Sequence, residues 1–487
     1  MRAPKVPARD TIARMIALIT RHKLLSLLLV ALLVRVSLLI ALYPSLFAFE
    51  RTGAIHGSGA YDTYAVNLLA SGIYGKEAPG IADAHLPPLF SYLLAGIYAL
   101  LGRSGFAVGV VNIAFDLITI AALYHICRRL LPQHGESIGL LAAIFYAFYP
   151  YLLFQNLTVI DTPLFMMLLY LWLLTMIILR QRPTLNRDTW LLAGASGVLL
   201  GLMALVRTNA VLLAPLLAIW FLFRRSFWAS AARLSIVAII SALVIAPWII
   251  RNYRVYGEFI PVALNGGENL YQGNNPLTVP VFRAGYDVQW VPPPEHLPPA
   301  RMTPERSAAL AEAAWEYLRA NPGAIPELMW TKFLVHWSIP IAPARNPTAG
   351  ELPRLDYQGD AIHSTDAQGN LVIEGLPQDD PVNAYSESLF DVIGRTIHVL
   401  YYGALFILAL AGCFVLRHQW REVSLIWLVQ FAMTFIYVLF HPSTRYRVPT
   451  DPLLFVLSAA ALVCAWSWWR ARRAAAIPAL RYSHDQP

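Results

Sequence analysis

Hydrophobic residues run along this chain in long blocks, and the polar positions collect between them. The blocks 24–48, 106–127, 137–154, 162–179, 189–206, 208–223, 231–250, 395–416, 421–440 and 451–470 approach or reach the length at which a helix crosses about 30 Å of hydrocarbon. The pattern predicts an all-α polytopic membrane protein with about ten transmembrane helices. A further apolar stretch, 88–102, holds about 15 residues and reaches about 22 Å as a helix, short for a crossing. Parity places it. With ten spans, the clusters Arg128–Arg129, Arg180–Arg187, Arg224–Arg233, Arg417–Arg421 and Arg470–Arg473 share a side with the basic N-terminal tail, as the positive-inside rule asks. The alternative of eleven spans puts every one of them outside. Residues 88–102 are therefore expected as an interfacial or re-entrant helix.

This pattern divides the chain. A basic cytoplasmic tail, 1–23, precedes a transmembrane core, 24–250, whose first outer loop is 49–105. An extracytoplasmic cap of mixed structure, 251–394, follows, then C-terminal transmembrane helices, 395–473, and a cytoplasmic tail, 474–487. The run behind the first tail is too long for a signal-peptide core and has no small-residue cleavage site, so it reads as a signal anchor with the N-terminus inside. The cap is rich in proline and turn signals (NGGEN, GNNP, VPPPEH), and carries two amphipathic runs, 303–320 and 324–338. The second is aromatic enough to lie on the membrane interface.

Composition agrees with the pattern: 57% of residues are hydrophobic and 14% charged. The net charge of +8 is no nucleic-acid signal, because the basic residues sit beside span ends. Arginine far outnumbers lysine, which points to a GC-rich genome and a bacterium. The three cysteines, Cys127, Cys413 and Cys464, fall in or at the edge of spans and give neither a disulfide framework nor zinc-type spacing.

On the ten-span reading the polar residues with chemical potential converge on the outer side. Asp62 opens the helical stretch GSGAYDTYAVNLLASGIYG, 57–75. A carboxylate beside an apolar wall suits a general base, and the same residue type suits a helix N-cap. Asp161 opens the span at Thr162–Pro163 in the same way, with capping as its plain role. Arg207 interrupts LMALVRTNAVLL at an outer turn, where it can meet an anion. Arg445, Tyr446 and Arg447 form a second cationic loop whose arginines can fork onto phosphate, contact lipid headgroups or pair with loop acids. Arg35 lies mid-span and either faces a bundle interior or a water-filled cavity, snorkels, or makes a structural pair. Asp83 and His85 are a thin basis for a metal site, and no metal is expected.

Taken together, these residues resemble the membrane glycosyltransferases of the GT-C fold, in the bacterial branch similar to protein O-mannosyltransferases and the lipid A aminoarabinose transferase. The resemblance rests on Asp62, Tyr64, Leu69, Ala70, Gly72 and Tyr74, then His85-Leu86-Pro87-Pro88, and continues through Asp161-Thr162-Pro163-Leu164-Phe165 and the turn from Gly201 to Arg207. It closes with Pro247 to Tyr253, which includes Arg251, Gly273 to Pro276, and Arg445-Tyr446-Arg447-x-Pro449. It covers 24–280 and 395–470, while 281–390, where an acceptor is expected to enter, matches nothing. Asp116 stands in the second span where relatives carry a small residue, and that span lacks the arginine of many relatives.

The resemblance implies a GT-C-like bundle and a polyprenyl-phosphate sugar as donor. Its phosphate lies near Arg207, Arg445, Tyr446 and Arg447, with Asp62 as base and Asp161 and Asp83 as further acidic candidates. His85, Arg35 and Arg251 complete the candidate site. The acceptor is a glycan, lipid or protein hydroxyl, the anomeric centre inverts, and neither metal nor other cofactor is needed. The location implied is a bacterial inner membrane, with the site facing outward. The alternatives are a transporter or flippase, a non-catalytic assembly partner, and a GT-C enzyme with another carrier or a diphosphate donor.

Overall fold

The computed structural model describes residues 22–53, 55–77, 80–223, 226–297, 300–345, 352–365, 371–374 and 389–482. Most of the expected N-terminal tail, Arg224 and Arg225, much of 346–388 and the last residues of the C-terminal tail lie outside the described residues. Among the described residues seven stretches are long and apolar enough to cross a membrane: Lys23–Thr52, Gly105–Leu130, Thr162–Gln181, Arg187–Val206, Phe227–Tyr256, Asp391–Leu439 and Asp451–Ala474. The 49-residue stretch Asp391–Leu439 comprises two helices, Leu389–Val415 and Trp420–Leu439, around a 3₁₀ turn at Leu416–Gln419. The protein is an all-helical integral membrane protein; the described strands form one small antiparallel hairpin, His363–Thr365 with Leu371–Ile373.

Three apolar helices are shorter. Leu89–Leu101 has 13 residues, about 20 Å. The expected block 137–154 divides into Gly135–Ala147 and Pro150–Gln155. Pro150 holds Tyr149 extended, which ends one helix and starts the next. The block 208–223 opens as a 3₁₀ turn, Thr208–Leu212, before the helix Leu213–Leu222.

Packing explains two sequence features. Gly197 and Gly201, four apart on Arg187–Val206, let Phe227–Tyr256 approach so closely that a Cβ on either would fall 2.7 Å from that helix. Arg35 and Asp116, both fully buried, pair across the first two long helices at 3.2 Å. Arg35 also donates to the carbonyl of Ala147 at 2.7 Å, the last residue of its broken helix, while Tyr146 and Asn156 donate to Asp116 at 2.9 and 3.0 Å. Of the readings open for Arg35, the structure gives it a structural partner.

The segment between Tyr256 and Leu389 folds into the helices Asn265–Gly273, Thr278–Arg283, Pro304–Ala320 and Ile325–His336 beside the hairpin. Thr303 caps Pro304–Ala320 by accepting from the Arg306 amide at 3.2 Å, with Pro304 in the first turn. This segment and the end of the helix Phe227–Tyr256 are stitched to the first loop. Arg251 donates to the carbonyls of Asp83 and Tyr74 at 2.5 and 2.7 Å and stacks on Trp248 at 4.7 Å. His85 meets Glu268 at 2.6 Å.

Candidate functional site

The site is built where two loops meet. Gly57 and Val159 form a parallel bridge in which Ser58 N donates to Val159 O at 2.8 Å and Val159 N donates to His56 O at 2.9 Å. Only glycine fits this contact: Gly57 has φ +113°, and a Cβ there would lie 2.3 Å from the Val159 carbonyl oxygen. Two residues beyond Val159 stands Asp161, and five beyond Gly57 stands Asp62. One backbone joint therefore sets both acids.

Asp161 occupies the N-cap position of Thr162–Gln181, yet its side chain makes no capping bond. The capping role expected from sequence is corrected here: charge-assisted bonds to arginine outweigh a neutral one to an amide. Arg207 donates to both carboxylate oxygens, at 2.6 and 3.1 Å, and to Thr162 Oγ1 at 2.7 Å. Arg445 adds a third bond at 2.8 Å. Burial alone would raise the Asp161 pKa, but the two guanidinium groups hold it well below the usual carboxylate range. The cluster keeps a net positive charge. Arg445 Nε has no hydrogen-bond partner.

Arg445 and Tyr446 line a cavity of about 700 Å³. Leu38, Leu42, Phe154 and Leu157 give it an apolar wall, and Asp287, Arg395 and Tyr151 add polar groups. Tyr446 is stacked on Tyr437 at 4.8 Å, which fixes the loop. Asp287, half-buried in the wall, is pushed up to about 6 by burial against the opposing pull of the Gln289 amide and Arg445. Sequence reading missed Asp287 and Arg395. Asp287 caps the short 3₁₀ turn Val288–Trp290 and Arg395 stands at the edge of the expected block 395–416, so in sequence each is a boundary residue and only their convergence on the cavity marks them.

Asp62 is not the N-cap of its helix. Ser58 is the cap position of Gly59–Ser71, and Asp62 lies in the first turn with its side chain buried. The capping alternative is thereby corrected. Its carboxylate accepts from Tyr98 at 2.8 Å and from Arg103 at 3.1 and 2.5 Å. Arg103, another residue the sequence did not single out, stacks on Phe49 at 4.9 Å. With Tyr98 it lines a second cavity of about 70 Å³, which shares His56 and Leu157 with the large one.

The remaining candidates are placed elsewhere. Asp83 accepts from Tyr64 at 2.5 Å, from the Lys76 amide at 2.7 Å and from the His85 amide at 3.1 Å. With His85 and Arg251 it forms the joint between loops, away from the residues lining the cavities. Arg447 is a correction to the expected phosphate-binding fork. It is fully buried, pairs with Asp451 at 3.1 Å, stacks on Tyr402 at 4.1 Å and donates to the carbonyls of His336 and Ser338. The cause is geometric: Thr444–Arg447 is a turn of helix, and residues two apart on a helix face different ways. Among the described residues no group of three or more His, Cys, Asp or Glu side chains is placed to hold a metal ion.

Comparison with known proteins bears on this arrangement. Residues 85–250 match the family model described as dolichyl-phosphate-mannose-protein mannosyltransferase. That stretch includes Asp161 and Arg207 and stops short of Asp62 and Arg445. In fold the chain is similar to the archaeal oligosaccharyltransferase AglB from Archaeoglobus fulgidus in complex with an inhibitory peptide and a dolichol-phosphate. The TM-score is 0.55 at 15% identity, covering 96% of this chain and 53% of that one. The chain has the GT-C fold. The Archaeoglobus fulgidus oligosaccharyltransferase in the apo form gives a TM-score of 0.53 at 15% identity, covering 93% and 52%. ArnT from Cupriavidus metallidurans bound to undecaprenyl phosphate is more distant, with a TM-score of 0.39 at 14% identity, covering 89% and 77%. The chain spans about half the length of the oligosaccharyltransferases it matches. The comparison with curated proteins gives no match.

Proposed function

We propose that this protein is a membrane glycosyltransferase that moves a sugar from a polyprenyl-phosphate-linked donor to a hydroxyl of a glycan, lipid or protein. The reaction takes place on the outer face of a bacterial inner membrane, with 251–394 as an extracytoplasmic cap and both termini cytoplasmic. The observation that carries this reading is the cavity of about 700 Å³ in which an apolar wall meets Arg445, whose Nε is unpartnered. An isoprenoid chain suits the wall, and its phosphate suits the guanidinium. The match to the dolichyl-phosphate-mannose-protein mannosyltransferase family over 85–250 supports the same class of donor.

Arg445 binds the donor phosphate, Arg207 reinforces its charge through Asp161, and Tyr446 packs against the bound group. Asp62 is the general base. As the acceptor oxygen attacks the anomeric carbon, its proton passes to the Asp62 carboxylate. The bond from anomeric carbon to phosphate oxygen breaks on the opposite face, and its electron pair stays on the polyprenyl phosphate, where the arginines stabilise it. The centre inverts, and a monophosphate leaving group held by arginine needs no divalent ion. Arg103, 43% exposed, yields Asp62 to the acceptor by swinging outward from the small cavity.

The test is transfer by purified protein in liposomes, with radiolabelled polyprenyl-phosphate sugars and a membrane extract as acceptor. Wild type transfers with or without chelator, and Asp62→Asn loses at least about 100-fold while remaining folded. Transfer that survives Asp62→Asn moves the base to Asp287. Uptake of donor without any transfer replaces the enzyme by the transporter reading.

A further inference from the structure

The loop that carries Arg445 is held by the segment 325–342, and one of its holds is a lysine. Lys332, on the helix Ile325–His336, is fully buried. Its Nζ donates to Asn274 Oδ1 at 2.8 Å and to the carbonyls of Leu439 and Phe440 at 3.2 Å each. Leu439 ends the helix Trp420–Leu439, so the lysine occupies the place where a helix leaves its carbonyls unpaired. Asn274 completes the joint by donating to Leu439 O at 2.9 Å. The approach is so close that a Cβ at Gly273 would lie 1.7 Å from Phe440 O.

From Phe440 the chain reaches Arg445 within five residues, and the same segment grips it again. Thr444 N donates to Ala342 O at 2.6 Å, and Ala342 N donates to Thr444 Oγ1 at 2.8 Å. Arg447 donates to the carbonyls of His336 and Ser338. The chain on both sides of Arg445 is therefore held from 332–342 and Asn274, in addition to the bond to Asp161 and the Tyr446–Tyr437 stack. We propose that Lys332 is a positioning residue for anion binding: by tying Ile325–His336 to the end of Trp420–Leu439, it sets the reach of Arg445 into the large cavity. This rests on the reading of Arg445 as the phosphate-binding group.

The chemistry favours a positioning role over a direct one. The three acceptors of Lys332 are neutral oxygens, and it does not line the large cavity. Burial pushes its amino group down to about 7. Protonated or neutral, a lysine amine keeps hydrogens for at least two of its acceptors. Its loss strands Phe440 O and Asn274 Oδ1 at the start of the loop, while Leu439 O keeps its bond from Asn274. Since each such orphan is costly, the loop shifts to find other partners and takes Arg445 with it.

The experiment measures binding of a polyprenyl monophosphate to the full-length protein in detergent, with the same polyprenol lacking phosphate as control. Lys332→Met is expected to weaken phosphate binding about tenfold with full stoichiometry and unchanged binding of the alcohol. A merely structural lysine lowers the fraction of protein that binds and leaves Kd where it was. That result, or wild-type binding by Lys332→Met, overturns the inference. If Lys332→Met does not fold, Asn274→Ala, which removes the same joint from its other side, carries the same expectation and the same refutation. Arg445→Gln separates the two readings. Unchanged phosphate binding in Arg445→Gln overturns the phosphate assignment itself, whereas weakened binding there with an unchanged Kd in Lys332→Met overturns only the role of the lysine.

Discussion

Replacing Gly57 by alanine adds one methyl group, and the structure leaves no space for it. At φ +113° an L-residue is strained by about 1–3 kcal/mol. The new Cβ would also stand 2.3 Å from Val159 O, 2.9 Å from Val159 C and 3.0 Å from Val159 N, all backbone atoms that cannot rotate aside. Relief requires opening the bridge and giving up its two hydrogen bonds, together about 2 kcal/mol. The penalty of about 3–5 kcal/mol falls on a joint between two loops outside the long helices, so it separates Asp62 from Asp161 without unfolding the bundle. Transfer activity should fall at least about 100-fold, since 1.4 kcal/mol is a factor of ten. Thermal unfolding in detergent should shift by only a few degrees. Gly59→Ala is the control: a Cβ there meets nothing within 4 Å, and alanine is the better helix former. Wild-type activity in Gly57→Ala, or equal losses in both variants, would show that the joint does not set the site.

Three further outcomes follow from the buried charges and from Lys332. Because Arg207 and Arg445 hold the Asp161 carboxyl below its unfolded value, the cluster stabilises the fold above the unfolded carboxylate range near pH 4 and loses that contribution as pH falls through the lower folded value. Asp161→Asn should therefore lower the melting temperature at pH 7 and reduce the acid-induced loss below pH 4; an unchanged melting curve at pH 7 refutes the pairing. Asp116→Asn strands buried Arg35 and should destabilise by about 3–5 kcal/mol, whereas Arg35→Met combined with Asp116→Leu should recover much of that in the same unfolding assay. The tenfold loss of phosphate affinity in Lys332→Met is the third, read by binding and not by stability.

The hydrophobic pattern determined what can be read from local order. Burial in a bilayer demands long apolar helices, so the class of fold and most element positions were legible in single stretches of chain. The blocks 106–127, 162–179, 189–206 and 231–250 appear as helices within six residues of their expected bounds, and the fold implied by the scattered motifs is matched over 96% of the chain. The break at Arg207 was legible because a charge interrupts the apolar run there, whereas hydropathy alone did not show the break at Pro150 inside the block 137–154. Pairing was decided by tertiary structure. Asp161 and Arg445 are 284 residues apart in the chain, and nothing local says that one holds the other. Arg445 and Arg447 look alike in sequence, yet a turn of helix sends one to the cavity and buries the other on Asp451. Lys332 is one basic residue in an aromatic run until the fold brings the end of Trp420–Leu439 to it. Apolar burial depends on where a residue stands in its own helix, whereas a buried charge depends on partners that only the packed chain supplies.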